Sequence, residues 1–276
     1  MEHLDVGHVL VLGGTTEARA LAQELVDLPG VRLTTSLPVS RDVPVDPPGE
    51  VHRGGFGGPT GLAAWLAAHD VRVVVDATSP FAGRITAAAV QACAAADVPL
   101  VVLERPAWVP QPGDDWRPVA DLAAAAAVLA TGPWDRALVA AGARDLGPLA
   151  RLERPRMVLR VPRLPEPPLP PGCEVVLRRR AADVDGERSV LRERRVDVVV
   201  TTDSGGPGGA AVLVAARELG LPVVVVQRPA PPSRPGGGPT PRAASAAEAS
   251  AWVQEALSAA AASPGPPGSS PRGPRA

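Results

Sequence analysis

"VLVLGGTTEARALAQEL", residues 9–25, is the stretch on which the reading of the fold turns. Four apolar residues with no polar alternation read as a strand buried on both faces, the mark of a parallel sheet covered by helices. Gly13 and Gly14 then turn the chain, and from Thr15 apolar and small residues recur at helical spacing. A helix that begins at the carboxyl end of such a strand turns its free backbone N–H groups and positive dipole end toward that edge, where a phosphate would be stabilised. Thr15 and Thr16 are hydroxyl residues of the type that cap a helix or donate to a phosphate oxygen. The stretch lacks the full G-x-G-x-x-G pattern, so by itself it is equally compatible with an ordinary strand–helix turn.

Working outward, the same alternation repeats. Short Val-rich runs at 8–12, 31–35, 71–78, 98–103, 136–142, 156–161, 196–202 and 221–227 read as strands. Helical patterns fall at 15–28, 60–69, 83–96, 120–131, 187–194, 209–219 and 244–258. Strand–helix alternation implies right-handed crossovers and parallel pairing, hence an α/β protein of two Rossmann-like parallel-sheet halves. The expected division is a nucleotide-binding domain over 1–132, a second domain over 135–257 joined to it by "ATGPWD" (130–135), and a disordered tail over 258–276.

The 28 basic residues are all arginine, and they nearly balance 29 acidic ones, so no electrostatic case exists for nucleic acid or a membrane surface. Lysine and tyrosine are both missing, which excludes dehydrogenase chemistry that depends on a Tyr/Lys pair. Two cysteines without metal-type spacing point to a reducing, cytoplasmic compartment and to no metal. No run reaches the roughly 20 apolar residues of a membrane span. The expected state is a monomer.

Further loops extend the reading. After the second strand, "LTTSLPVSRD" (33–42) puts no carboxylate at the strand end to take ribose hydroxyls; Thr35, Ser36 and Arg41 instead favour a 2′-phosphate, hence NADPH over NADH, although NADH remains possible. "RGGFGGPTG" (53–61) holds Phe56 among glycines, with Gly55 and Gly57 beside it, as a loop that lets backbone approach a flat ligand. "VVVDATSPFAGRIT" (73–86) places Asp76, Ser79, Phe81 and Arg84 at a strand's carboxyl end, where Arg84 suits a carboxylate. In "VVVTTDSGGPGGAAVLVAARELG" (198–220), Gly206, Gly208 and Ala211 fit G-x-G-x-x-A better than the first loop does, so the residues alone leave open which half binds the nucleotide.

The ordered set "LGGTTEARALA", "TTSL", "GGFGG", "DATSPFA", "PLVVLERPAW", "AGARDL", "VDVVVTTDSGG" and "AARELGLPVVVVQRP" resembles the precorrin-6A and cobalt-precorrin-6A reductases. The resemblance covers residues 8 to 229. It implies reduction of one double bond of a corrin-precursor macrocycle by a nicotinamide cofactor, in a cleft between two Rossmann-like halves, with neighbouring corrin-pathway enzymes as possible partners. It would place NADPH on Gly13, Gly14, Thr15, Thr16, Glu17, Thr35 and Ser36 of the first half, beside Arg41 as read above. The polycarboxylate macrocycle would lie on Gly55, Phe56, Gly57, Ser79, Phe81, Arg84, Arg144, Ser204, Gly205 and Gly206, with Asp76 and Asp203 as candidate proton donors and solvent as a third. Several positions depart from the family pattern. Ser79 stands where a histidine is expected, Val39 and Ser40 displace an arginine to Arg41, Ala88 replaces an asparagine, and Thr202 and Val212 stand where lysines are expected. A non-catalytic nucleotide or tetrapyrrole binder, and another NADP-dependent reductase on the same scaffold, are the rival readings.

Overall fold

The computed structural model describes residues 7–39, 45–142, 146–162, 164–177 and 183–262. The first part of the chain runs β1 (Gly7–Leu12), α1 (Thr16–Val26), β2 (Val31–Leu37), β3 (Glu50–Arg53), α2 (Gly58–Ala68), β4 (Val71–Asp76), α3 (Gly83–Ala96) and β5 (Leu100–Leu103). It continues through β6 (Trp116–Val119), α4 (Leu122–Thr131), β7 (Arg136–Ala140), β8 (Arg156–Val161), β9 (Glu174–Leu177), α5 (Val184–Glu193) and β10 (Val198–Thr202). Last come α6 (Pro207–Glu218), β11 (Val223–Val226), β12 (Arg242–Ala243) and α7 (Ala246–Ala262).

The strands form two six-stranded, wholly parallel sheets, ordered β12-β5-β4-β1-β2-β3 and β6-β11-β10-β7-β8-β9. The expected α/β class with two parallel-sheet halves is the fold found. The apolar run in β1 has a direct cause. Val9 and Val11 enter the core cluster shared with α1 and α7, while Leu10 and Leu12 enter the cluster on the other face, beneath α2 and α3. A strand covered on both sides has no solvent face to make polar.

The division into units differs from the expected one. One compact unit comprises the described residues of Met1–Glu104 and Pro232–Ala276; the other is Arg105–Pro231. The expected joint at 130–135 therefore lies inside the second unit. β6 follows β5 in the chain yet pairs with β11 in the second sheet, and β12 follows β11 yet pairs with β5 in the first. Each unit thus takes its sixth strand, and the helix after it, from the chain leaving the other unit's fifth strand. The expected tail boundary also moves. α7 continues to Ala262, and its Ala249, Val253 and Leu257 pack into the first unit's core. The rest of the expected tail, 263–276, lies outside the described residues.

Candidate active-site loops

In the first unit the chain steps from β1 outward to β2 and β3, then crosses to β4 on the other side of β1. The carboxyl ends of β1 and β4 are thus the switch point where open α/β sheets bind ligands. Gly13 N–H donates to Ser36 O (2.8 Å) and Ala77 N–H to Leu12 O (2.9 Å), which stitches the loops to the strand ends. A Cβ on Gly13 would sit 2.8 Å from the Thr35 methyl and 3.1 Å from Ser36 O, and Gly14 has φ +114°, so both positions require glycine. Thr15 caps α1: its hydroxyl accepts from Ala18 N–H (3.0 Å) and donates to Ala77 O (2.7 Å). Thr16 is exposed beside it and donates to the Glu17 carboxylate (3.0 Å). Ser36 is half-buried at the end of β2. Thr35, expected to touch the cofactor, is only 1% exposed with its methyl beneath Gly13; it supports the turn from below. Arg41 lies outside the described residues.

The second loop follows β3 at the same edge. Phe56 is half-buried, stacked on His52 (centroids 4.4 Å, planes 10° apart) and edge-on to Trp65 (5.2 Å). These ring contacts anchor the loop. Gly61 is obligatory beneath it, since a Cβ there would collide with Phe56 O. Gly55, Gly57 and Gly58 are exposed and have nothing within 4 Å of where a Cβ would lie, so the loop presents bare backbone outward.

The loop after β4 is built on Asp76. Its Oδ1 accepts from Thr78 N–H (3.0 Å) and the Thr78 hydroxyl (2.6 Å), while Oδ2 is buried without a partner. At 1% exposure Asp76 anchors this loop through its Oδ1. It also adds to the burial that pushes the Cys93 thiol up to about 12. Ser79 is exposed and its hydroxyl accepts from Phe81 N–H (3.3 Å), closing the turn in which Phe81 is half-buried. Arg84, exposed in the first turn of α3, makes no hydrogen bond or ion pair among the described residues.

The second unit has the same switch point, between β7 and β10, with different loops. Among the described residues no helix separates β7 from β8, so the turn after β7 has no counterpart of α1. Arg144 lies in that loop and outside the described residues. The loop after β10 is filled by its own unit. Asp203 Oδ1 accepts from Trp108 N–H (3.1 Å), and Asp203 O accepts from Arg228 Nε (3.0 Å). Arg105 Nε donates to Ser204 O (2.6 Å), and Arg228 Nη1 donates to Arg105 O (2.8 Å). Gly205, at φ +70°, abuts Pro106 O and Arg228; Gly206 is buried, with the Arg105 guanidinium 2.7 Å from where its Cβ would lie. Asp203 therefore also anchors its loop, through Oδ1 and its backbone carbonyl. Gly206 of the G-x-G-x-x-A spacing packs closely against Arg105, and Gly209 beside it against Trp108.

Two further positions differ from expectation. Val212 is fully buried in the second unit's core, so it is no surface position from which a lysine was lost. Asp46, a carboxylate that the reading of β2 did not reach, lies between β2 and β3 and pairs with Arg53. Missed altogether were Arg105 and Arg228, whose role depends on contacts made across more than 90 residues. The buried pair of Arg160 and Glu187 was missed for the same reason of distance in sequence. Among the described residues no group of three or more His, Cys, Asp or Glu is placed to hold a metal, and no helix is long and apolar enough to cross a membrane.

Known proteins share this arrangement over nearly the whole chain. The model of the precorrin-6x reductase family, CbiJ/CobK, matches residues 8–254. The precorrin-6A reductase of Rhodococcus erythropolis is 43% identical over 221 residues, 80% of this chain and 89% of the relative. That of Rhodobacter capsulatus is 42% identical, covering 82% and 90%. The cobalt-precorrin-6A reductase of Methanothermobacter thermautotrophicus is 30% identical, covering 80% and 76%. A solved structure of CobK precorrin-6A reductase superposes with a TM-score of 0.80 at 38% identity, covering 91% of this chain and 97% of that one. With its strand order, its glycine loops and these relatives in agreement, the chain belongs to the precorrin-6x reductase family.

Proposed function

We propose that this protein reduces one double bond of precorrin-6A, or of its cobalt-bearing form, with NADPH as reductant, in cobalamin biosynthesis. The observation that carries the cofactor's placement is the Gly13–Gly14 turn. It lies at a switch point ahead of a capped helix, with only Pro38 Cδ within 4 Å of where a Gly14 Cβ would lie, whereas among the described residues no helix separates β7 from β8 and the β10 loop is packed with arginine and tryptophan. The turn fits a pyrophosphate: neither glycine tolerates a side chain, and the first turn of a helix carries N–H groups without intrahelical acceptors. Thr16, Glu17 and Ser36 line the same edge and would hold the ribose and phosphates.

The bound cofactor would supply a hydride; the protein's part is to orient two flat molecules and keep water from between them. Bare backbone at Gly55, Gly57 and Gly58 provides a shelf for the macrocycle, held in place by Phe56 on His52 and Trp65. Arg84 is free to meet one of the macrocycle's carboxylates. Ser79, Phe81, Arg144, Ser204, Gly205 and Gly206 complete the proposed substrate contacts through their loops. Asp76, whose Oδ2 is buried without a partner, and Asp203 are the side chains that could supply the proton that completes the reduction, with water as the other source.

The test is NADPH oxidation followed optically with each form of the macrocycle, for wild type and Phe56→Ala. Wild type should oxidise NADPH with one of them. Phe56→Ala should lower turnover with cofactor affinity unchanged. NADPH binding without oxidation in the presence of either macrocycle would favour a non-catalytic binder.

A further inference from the structure

Three histidines, His8, His52 and His69, surround Trp65 of α2, with ring centroids 5.9, 5.6 and 4.0 Å from its own. Two of them are tied by hydrogen bonds, His8 through both nitrogens and His69 through Nδ1 to Trp65 O (2.9 Å). His52 differs. Its Nε2 is buried without a partner, while its Nδ1 makes no hydrogen bond among the described residues and is open to solvent. We propose that His52 donates a hydrogen bond from Nδ1 to a carboxylate of the macrocycle, at the foot of the Phe56 loop. The inference rests on the reading that this loop seats the macrocycle.

The first argument is which nitrogen carries hydrogen. Neutral imidazole has one N–H donor and one bare nitrogen. A hydrogen on Nε2 would be buried with nothing to accept it, at the full cost of desolvating that donor. A hydrogen on Nδ1 stays in reach of water or a ligand. The imidazolium carries hydrogen on both nitrogens. In the favoured neutral form and in the charged form alike, Nδ1 is a donor. Phenylalanine would stack on Phe56 as well and leave no polar atom enclosed, so the stack by itself gives no reason for a histidine.

Place is the second argument. His52 is in register with Ser36, near the carboxyl end of β2, and residues in register leave the sheet on the same face. Further toward the amino end, that face holds Thr34 and Glu50, which bond to each other (3.2 Å), with Glu50 also paired to Arg32. The polar side chains are thus closed on one another there, and His52 is left open at the carboxyl edge, where open α/β sheets take ligands. Arg53, next along β3, leaves by the opposite face and is paired with Asp46. Stacking on Phe56 (4.4 Å) and edge contact with Trp65 hold the His52 ring in place, so little side-chain freedom is lost on binding. A carboxylate accepts a hydrogen bond more strongly than a neutral group does.

The experiment is calorimetric titration of the full chain with precorrin-6A and with the same macrocycle esterified at its carboxylates. His52→Phe keeps a flat ring on Phe56 and removes the donor; it should weaken precorrin-6A by about tenfold or more, the loss of a hydrogen bond to a charged group, with NADPH affinity as in wild type. His52→Gln keeps a donor without the ring and should lose less. The ester should bind wild type and His52→Phe alike. If the ring is only a platform, the order reverses, with His52→Phe like wild type and His52→Gln the weaker, and the proposal is overturned. An ester that separates wild type from His52→Phe as widely as the acid does also overturns it. If His52→Phe binds like wild type while Phe56→Ala binds weakly, the proposal falls and the loop's role as the seat stands. If neither variant alters macrocycle affinity, or wild type binds no macrocycle, both fall.

Discussion

The two units share one strand order and differ in what occupies the carboxyl edge. In the first unit the penultimate residue of β2 is Ser36, half-open to solvent; in the second the penultimate residue of β8 is Arg160, paired with the wholly buried Glu187 on α5. The first unit's glycines at 55, 57 and 58 face open space, whereas Gly205, Gly206 and Gly209 of the second are packed against Pro106, Arg105, Arg228 and Trp108. The same residue type therefore serves opposite ends. In one unit it exposes backbone to a visitor, and in the other it lets the protein's own side chains come close. A glycine-rich motif does not by itself distinguish a cradle from a tight internal joint.

Removing Arg160 tests that comparison most severely. Arg160→Met leaves the Glu187 carboxylate buried without compensation, and Glu187 Oε2 already lacks a partner. Denaturant unfolding should show a loss of about 3–5 kcal/mol, with most of it restored by adding Glu187→Leu. A loss below about 1 kcal/mol would mean that the second unit's edge is as open as the first's.

Next in size is Gly205→Ala. Its Cβ would collide with Pro106 O and Arg228 at a φ of +70°. Strain at positive φ and overpacking together predict a cost of about 2–4 kcal/mol. Gly57→Ala, at φ +81° with open space around it, should cost only the backbone strain, about 1–2 kcal/mol. Its effect should appear instead in macrocycle KM. Equal thermal shifts for the two variants would erase the distinction between filled and open loops.

The sequence reading recovered the four interior strands of each sheet and none of the four edge strands, β3, β12, β6 and β9. The reason is physical. An interior strand is apolar on both faces, as "VLVL" is in β1, whereas edge strands such as "EVHR" and "WRPV" are short, partly exposed and, in β6, interrupted by Pro118. Missing β6 and β12 hid the exchange of sixth strands and so misplaced the domain boundary. Within the site, loops whose local sequence dictates their geometry were legible, above all Gly13, Gly14 and the Phe56 loop. The partners of Asp203, Gly205 and Gly206 were not, because Arg105, Trp108 and Arg228 reach them only once the fold is formed.

The smallest expected effect lies at the amino edge of the first sheet, where the second unit has no matching network among its described residues. His8 is 5% exposed; its Nδ1 is 2.8 Å from His69 O and its Nε2 is 2.8 Å from Thr34 Oγ1, which in turn lies 3.2 Å from Glu50 Oε2. A carbonyl only accepts, so Nδ1 carries a hydrogen. In neutral His8 the Thr34 hydroxyl donates to Nε2; a second ring proton would turn that hydroxyl toward Glu50. Burial holds the His8 pKa below its ordinary 6.5. The folded chain therefore takes up this proton at lower pH than the unfolded chain. The stabilising contribution is complete above the unfolded value and is lost as pH falls through the folded one. Glu50, held low chiefly by its hydrogen bond from Arg32, loses its contribution in a separate and more acid range. Thermal midpoints measured from about pH 8 to pH 5 should decline for wild type once pH drops below the imidazole range, by no more than about 1.4 kcal/mol per pH unit from this group. His8→Asn, which cannot titrate, should start less stable and show a flatter profile over the same interval. Parallel profiles for the two proteins would show that His8 is not the group responsible.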